Sequence, residues 1–306
     1  MASAETPPSK KYDLVAVGEA MLAFAPPPGE DFRTCQTVQV DHAGAESNTC
    51  VGLARLGFRV AWVSRLGCDA AGDRIFSALS AEGVDTQWVV RDPARATGLM
   101  IKHPTAGVQY YRRESAASAL SPADLAGVPV AEARAVLVSG VTALIGPEPH
   151  AAGLTLLSSA RGFRIVDPNL RRGLWGSSRR AELVTAFVDR CDILLGGASE
   201  LEELVGGHDL EAVARRCAAR GPQEVVVRDV GAVHALTADG EWVHVDIRRE
   251  AAVDPIGAGD AFNAGYIAVR LRGGSVADAI RAGARCGVAV AGSTSDTAGF
   301  PRAISD

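Results

Sequence analysis

Short apolar runs of strand length alternate with longer helix-patterned segments along almost the whole chain, and this alternation limits the fold more than any other feature. The runs Leu14–Val17, Val60–Val63, Ala135–Ser139, Arg164–Asp167, Ile193–Leu195 and Glu224–Val227 read as strands. Ser47–Leu56, Ala71–Ala81, Glu148–Ala160, Arg180–Asp189 and Leu210–Ala219 read as helices between them, and Ala258–Leu271 and Val276–Val290 as two more near the C-terminus. This order predicts an α/β fold, an open and mainly parallel sheet flanked by helices. Two regions break the pattern. In about 30–42 and 97–113, Thr37-Val38-Gln39-Val40, Gly98-Leu99-Met100-Ile101 and Val108-Gln109-Tyr110-Tyr111 alternate polar and apolar residues. Such stretches suit half-exposed strands. They read either as a small β lid over a site or as two surface hairpins. The expected organisation is a disordered N-terminus over 1–11, then one domain over 12–306 with the lid strands inserted.

With 306 residues, 47% of them hydrophobic, the chain can bury a large core. Its net charge of −5 argues against a basic nucleic-acid-binding surface. Six cysteines, at 35, 50, 68, 191, 217 and 286, form no C-x-x-C pair. Their scatter points to reduced thiols in a cytoplasmic protein without structural zinc. Lys10 and Lys11 precede an apolar run, Leu14 to Ala25, which resembles a secretion signal. Asp13 and Glu19 interrupt it, and the alternation fits a first core strand better. No apolar stretch reaches the roughly 20 residues that span a bilayer, so no membrane partner is expected.

The chemistry concentrates in Asp254-Pro255-Ile256-Gly257-Ala258-Gly259-Asp260-Ala261-Phe262. A glycine turn that opens a helix presents free backbone N–H groups and the positive end of the helix dipole, which together attract an anion. An acid in that same first turn would repel the anion. It makes sense if Asp260 takes a proton from a hydroxyl that then attacks phosphorus. The chain has no G-x-x-x-x-G-K-[ST] and neither the H-R-D nor the D-F-G element of protein kinases. Phe262 stands where a dinucleotide fingerprint needs its third glycine.

The segment Asp254 to Phe262, followed by Asn263-Ala264-Gly265, resembles the D-x-x-G-A-G-D-x-F signature of the ribokinase-like (PfkB) carbohydrate kinases. The resemblance covers nearly the whole chain. Ala43-Gly44-Ala45-Glu46-Ser47-Asn48 with Gly52 to Gly57 matches the family's early glycine motif, and Val63 to Gly72 its next element. Gly18-Glu19, Tyr110 to Leu120 and Asp167-Pro168-Asn169-Leu170-Arg171 are most similar to the 2-keto-3-deoxygluconate kinases. Ala43 replaces the first glycine of the family's usual pair, and Met100 stands where those kinases often carry an aromatic residue.

The resemblance implies a ribokinase-like fold, a sugar substrate, ATP, Mg2+ and a monovalent cation such as K+. It makes Asp260 the general base and Gly257, Ala258 and Gly259 the anion hole. Without catalysis, Asp260 would merely complement the helix dipole. The resemblance gives Asp254 to the cation, whereas a turn-capping aspartate before Pro255 is the alternative. Arg112 and Arg171 are candidates to hold a sugar carboxylate through their guanidinium forks, and Tyr110 a hydroxyl. In an extended chain Tyr110 and Arg112 share a face, as do Asp167, Asn169 and Arg171. For each arginine the plainer reading is a solvated surface residue. Gly44 and Asn48 resemble the family's sugar-contacting turn, although Asn48 also suits a helix start. On the nucleotide side, Ser199-Glu200-Leu201-Glu202 is the nearest fit to N-x-x-E, so Ser199 and, for magnesium through water, Glu202 are the candidates. The family's G-x-x-G loop is shortened to Arg228-Asp229-Val230-Gly231-Ala232, with Arg228 and Gly231 facing the nucleotide.

The expected activity is phosphorylation of a primary hydroxyl of a sugar or sugar acid, foremost 2-keto-3-deoxygluconate to its 6-phosphate. The alternatives are a kinase for a neutral sugar or nucleoside, and a non-catalytic sensor of the same fold. Exposed lid edges also suggest a homodimer.

Overall fold

The computed structural model describes residues 11–303 apart from 28, 104–106, 172–173, 175–176 and 248–253. Most of the expected N-terminal tail therefore lies outside the described residues.

The elements follow in chain order. They begin β1 (Leu14–Val17), β2 (Met21–Ala25), β3 (Gln39–Ala43), α1 (Ala45–Arg55), β4 (Val60–Gly67) and α2 (Ala70–Ala81). Next come β5 (Val89–Asp92), β6 (Leu99–His103), β7 (Gly107–Tyr111), β8 (Ala135–Ser139), α3 (Gly140–Leu144) and α4 (Pro147–Ser159). Then follow β9 (Phe163–Asp167), α5 (Arg180–Val188), β10 (Ile193–Gly197), α6 (Ala198–Val205) and α7 (Leu210–Ala218). The last are β11 (Glu224–Arg228), β12 (Ala232–Leu236), β13 (Trp242–Asp246), α8 (Ala258–Leu271) and α9 (Val276–Ala291).

Nine strands form the main sheet in the order β13-β12-β11-β10-β9-β8-β1-β4-β5. All neighbours from β11 to β5 are parallel, as the strand–helix alternation requires, whereas β12 and β13 add an antiparallel hairpin at one edge. The hairpin has no helix within it, so the sequence pattern of crossovers does not reveal it.

Helices cover both faces, which is why β1 reads as an unbroken apolar run. Leu14 and Ala16 point into one core with Trp62, Leu53, Phe262 and Ile280, and thus against α1, α8 and α9. Val15 and Val17 point into the other with Leu156, Phe187 and Val213, against α4, α5 and α7. Trp62 has no exposed surface, and cutting it to alanine would cost about 3–5 kcal/mol.

A second sheet, β3-β2-β6-β7, stands apart from the first. This is the small sheet expected from those regions, with two changes in its makeup. From the region 30–42 only the end is strand, because 31–34 turns on itself. The remaining strand is β2, part of the apolar run that reads as one core strand with β1. Gly18-Glu19-Ala20 breaks that run and sends the chain from one sheet to the other. Lys102 and Met100 are buried on one face of β6, with Leu99, Ile101 and His103 more exposed. Among the described residues no helix is long and apolar enough to cross a membrane.

Candidate active site

The carboxyl ends of β9, β10 and β11, the start of α8 and the inner face of the small sheet enclose a cavity of about 460 Å³. Ligands of open α/β sheets bind at such strand ends. Gly44, Asn48, Tyr110, Arg112, Asn169, Arg171, Arg228, Gly257, Gly259 and Asp260 all line it. Ala258, Asp254, Ser199, Glu202 and Gly231 do not.

Gly257 caps α8 at φ 84°, a left-handed conformation that glycine adopts without steric cost. This turns the chain sharply into the helix and puts Asp260 in its first turn. Of the three expected anion-hole donors, the Ala258 N–H is directed to Pro255 O at 3.3 Å. That leaves the Gly257 and Gly259 N–H groups at the cavity wall.

Asp260 is buried. Asn48 Nδ2 donates to its Oδ2 at 2.8 Å, so α1 orients the carboxylate. Burial pushes the Asp260 carboxyl well above the usual carboxylate range, and the charges of Asp167 and Asp296 push the same way. The Asn48 hydrogen bond and Arg171 act against them. A carboxylate with a raised pKa is a better base near neutral pH than an exposed one.

Arg228 lines the cavity and also braces the turn. Its Nη1 donates to Asn263 Oδ1 at 2.8 Å and Gly259 O at 3.1 Å, and its Nη2 to Asp167 Oδ2 at 3.2 Å. Its guanidinium lies 5.7 Å from the centre of the Phe262 ring. Burial disfavours its charge, but Asp167 and Glu200 outweigh that and hold it protonated. Arg228 thus clamps β11 to β9 and α8. Gly231 sits at φ 86° in the β11–β12 turn, where Asp229 N–H donates to Ala232 O at 3.0 Å.

The acid facing the cavity after β10 is Glu200, not Glu202, whose Oε1 lies 3.6 Å from the exposed His208 ring. Glu200 accepts from Gly197 N–H at 2.9 Å and Leu170 N–H at 3.0 Å. Burial and the Asp167 charge raise its pKa, while Arg228 opposes them. The available sequence signal is the spacing of a capping box, with the glycine that ends β10 followed by an acid three residues later.

Asn169 has φ 35°, so the run Asp167 to Arg171 does not stay extended as the shared-face reading requires. A side-chain amide makes asparagine one of the few residues that tolerate this backbone. The bend still brings Asp167, Asn169 and Arg171 to the cavity. Arg171 is exposed and has no ion pair among the described residues. Arg112 differs, because its guanidinium is buried in an ion pair with Glu19, whose other oxygen accepts from Ser115 Oγ at 2.8 Å. Arg112 also lies 5.3 Å from the Tyr110 ring centre. Among the described residues Arg112 Nε, Asn169 Oδ1 and Asn48 Oδ1 are buried without a hydrogen-bond partner. Buried polar atoms are rarely left so, and these suit a polyhydroxylated ligand.

Asp254 does not face the cavity openly. Lys102 Nζ donates to its Oδ2 at 2.8 Å and also to Asp296 Oδ1. Asp296 and Lys102 carry no sequence signal as a pair, being 194 residues apart.

These features define an α/β enzyme built to hold a small polar molecule beside a helix-end anion site. Residues 11–303 match the pfkB family carbohydrate kinase profile. A 2-dehydro-3-deoxygluconokinase of Bacillus subtilis (strain 168) is 31% identical over 301 residues, 95% of this chain and 93% of its own length. A 2-dehydro-3-deoxygalactonokinase of Haloferax volcanii is 30% identical over 283 residues, 89% of this chain and 88% of its own. In fold the chain is similar to a double-mutant fructokinase from Vibrio cholerae O395, solved with fructose, ADP and a potassium ion. That likeness has a TM-score of 0.86 at 23% identity and covers 96% of both chains. The chain belongs to the pfkB family of carbohydrate kinases and is a sugar kinase with the ribokinase-like fold.

Proposed function

We propose that this enzyme transfers the γ-phosphoryl group of ATP to a primary hydroxyl of 2-keto-3-deoxygluconate or a sugar acid of the same size, with Asp260 as general base. The observation that carries the reading is the position of Asp260, buried in the first turn of α8 beside the Gly257 and Gly259 N–H groups and oriented by Asn48. A hydroxyl placed there can give its proton to the carboxylate as its oxygen meets the phosphoryl group, whose charge the N–H donors stabilise. Tyr110 and Asn169 supply polar contacts along the cavity, and Gly44 lets the β3–α1 turn come close. The exposed guanidinium of Arg171, which has no ion pair among the described residues, suits a carboxylate. The names of the Bacillus and Haloferax relatives support a ketodeoxy sugar acid and leave open which configuration it has.

Glu200 fits magnesium held through water, since its carboxylate faces the cavity beside Asp167. Magnesium supplies charge neutralisation on the phosphates. The groove between β13 and α9, lined by Val245, Ile247, Val288 and Ala289 with Arg281 and Arg285 at its rim, suits the flat apolar face of a nucleotide base. A second reading, a kinase for a neutral sugar or nucleoside, is favoured by one observation: Glu19 already neutralises Arg112.

The test is ADP release across both ketodeoxy sugar acids, neutral ketoses, pentoses and nucleosides. Asp260→Asn is expected to lower turnover about 10²–10⁴-fold. Arg171→Ala should lower kcat/KM for the acid about 10–100-fold, as for a charged hydrogen bond, and leave a neutral sugar nearly unaffected. Equal losses on both would remove the carboxylate argument.

A further inference from the structure

The monovalent cation that the family resemblance assigns to Asp254 meets a different arrangement here. Lys102 Nζ already sits between the carboxylates of Asp254 and Asp296, on a side chain only 10% exposed. Both acidic residues touch the anion-hole turn, Asp254 through its carboxylate and Asp296 through its backbone. Asp254 Oδ1 accepts from Ile256 N–H at 2.9 Å, immediately before Gly257. The backbone of Asp296 is packed against Gly257 so closely that a Cβ there would lie 2.8 Å from Asp296 O. Two carboxylates in one poorly solvated place repel each other unless a cation lies between them. An ammonium is a compact charge with three donors, close in character to a small monovalent ion.

We propose that Lys102 is a positioning residue that serves as this chain's own monovalent cation, holding Asp254 and Asp296 together and thereby fixing the Gly257–Gly259 turn. The charges of Asp296 and Asp254 outweigh burial and keep the Lys102 ammonium protonated. An added potassium ion then meets two carboxylates that already share a cation. The same ammonium ties the small sheet to the catalytic turn, because Lys102 belongs to β6. The inference rests on the anion-hole role proposed for Gly257 and Gly259.

The test measures turnover in potassium, ammonium, sodium and choline chlorides at one ionic strength. The wild-type enzyme is expected to be indifferent to the cation. Lys102→Ala is expected to lose roughly 10–100-fold in kcat in choline, the scale of a displaced catalytic group, and to recover when ammonium or potassium is added. In the unliganded protein, ammonium should raise the melting temperature of Lys102→Ala over that in choline and leave the wild type unchanged. Lys102→Met, which keeps the apolar stem, serves if the alanine variant does not fold. Potassium stimulation of the wild type, or a Lys102→Ala enzyme with full activity in choline, would overturn the inference. So would a loss that no cation restores. Asp260→Asn in the same panel separates the two ideas: full activity there removes the catalytic turn itself, whereas a dead Asp260→Asn beside a potassium-stimulated wild type removes only the role of Lys102.

Discussion

Replacing Gly257 by alanine probes the turn on which the catalytic reading depends. Two costs follow from the structure. At φ 84° an alanine pays about 1–2 kcal/mol for the left-handed backbone. Its Cβ would also lie 2.8 Å from Asp296 O and 3.0 Å from Asp296 Cα, and backbone cannot rotate aside as a side chain would. Forcing atoms into a packed site costs about 1–3 kcal/mol more, so the sum is about 2–5 kcal/mol. At roughly 2 °C per kcal/mol for a chain of this size, melting should fall by about 4–10 °C. Gly240 supplies the control. Its φ is 86° but nothing lies within 4 Å of its added Cβ, so Gly240→Ala should show the backbone cost alone. Activity separates the variants further. Moving the N–H donors of the turn should lower kcat about 10²–10³-fold in Gly257→Ala and leave Gly240→Ala untouched. Melting by circular dichroism and turnover by coupled ADP release measure both. If Gly257→Ala melts with Gly240→Ala and keeps its turnover, the contact with Asp296 does not constrain the turn and the reasoning fails.

Two further outcomes test the site. As the proposed base Asp260 must be deprotonated to act, and its pKa is raised, so kcat/KM should fall as pH drops through a value above the ordinary carboxylate range. Asn48 donates to the charged form, and Asn48→Ala should therefore move this acid limb to higher pH; an unmoved limb in the pH–rate profile would assign it to another group. Arg228→Met leaves Asp167 and Glu200 without their largely buried cation and should cost up to about 3–5 kcal/mol in denaturant unfolding. A residue that only contacted nucleotide would raise the KM for ATP with stability unchanged.

Much of the fold was legible because parallel α/β architecture writes itself locally. β1, β8 and α8 have the boundaries expected from their residues, since a strand buried on both faces must be apolar throughout and a helix must present a periodic face. The β12–β13 edge hairpin and β2 were not legible. The hairpin lacks a crossover helix, and β2 shares one apolar run with β1 until Gly18-Glu19-Ala20 carries the chain to another sheet. That Glu200 rather than Glu202 lines the cavity was not legible, because two acids lie within three residues and only the orientation of α6 chooses between them.

Sequence alone determined the family of this chain and the site proposed for its chemistry, because the parts of the signature lie within nine consecutive residues, from Asp254 to Phe262, and need no distant partner to be recognised. Tertiary structure decided everything that depends on charges meeting across the chain. It paired Arg112 with Glu19, tied Arg228 to Asp167 and the start of α8, and placed Lys102 against the aspartate to which the family resemblance assigns a cation. The free energy of a buried charge depends on what stands within a few ångströms of it, and spacing along the chain does not record that distance.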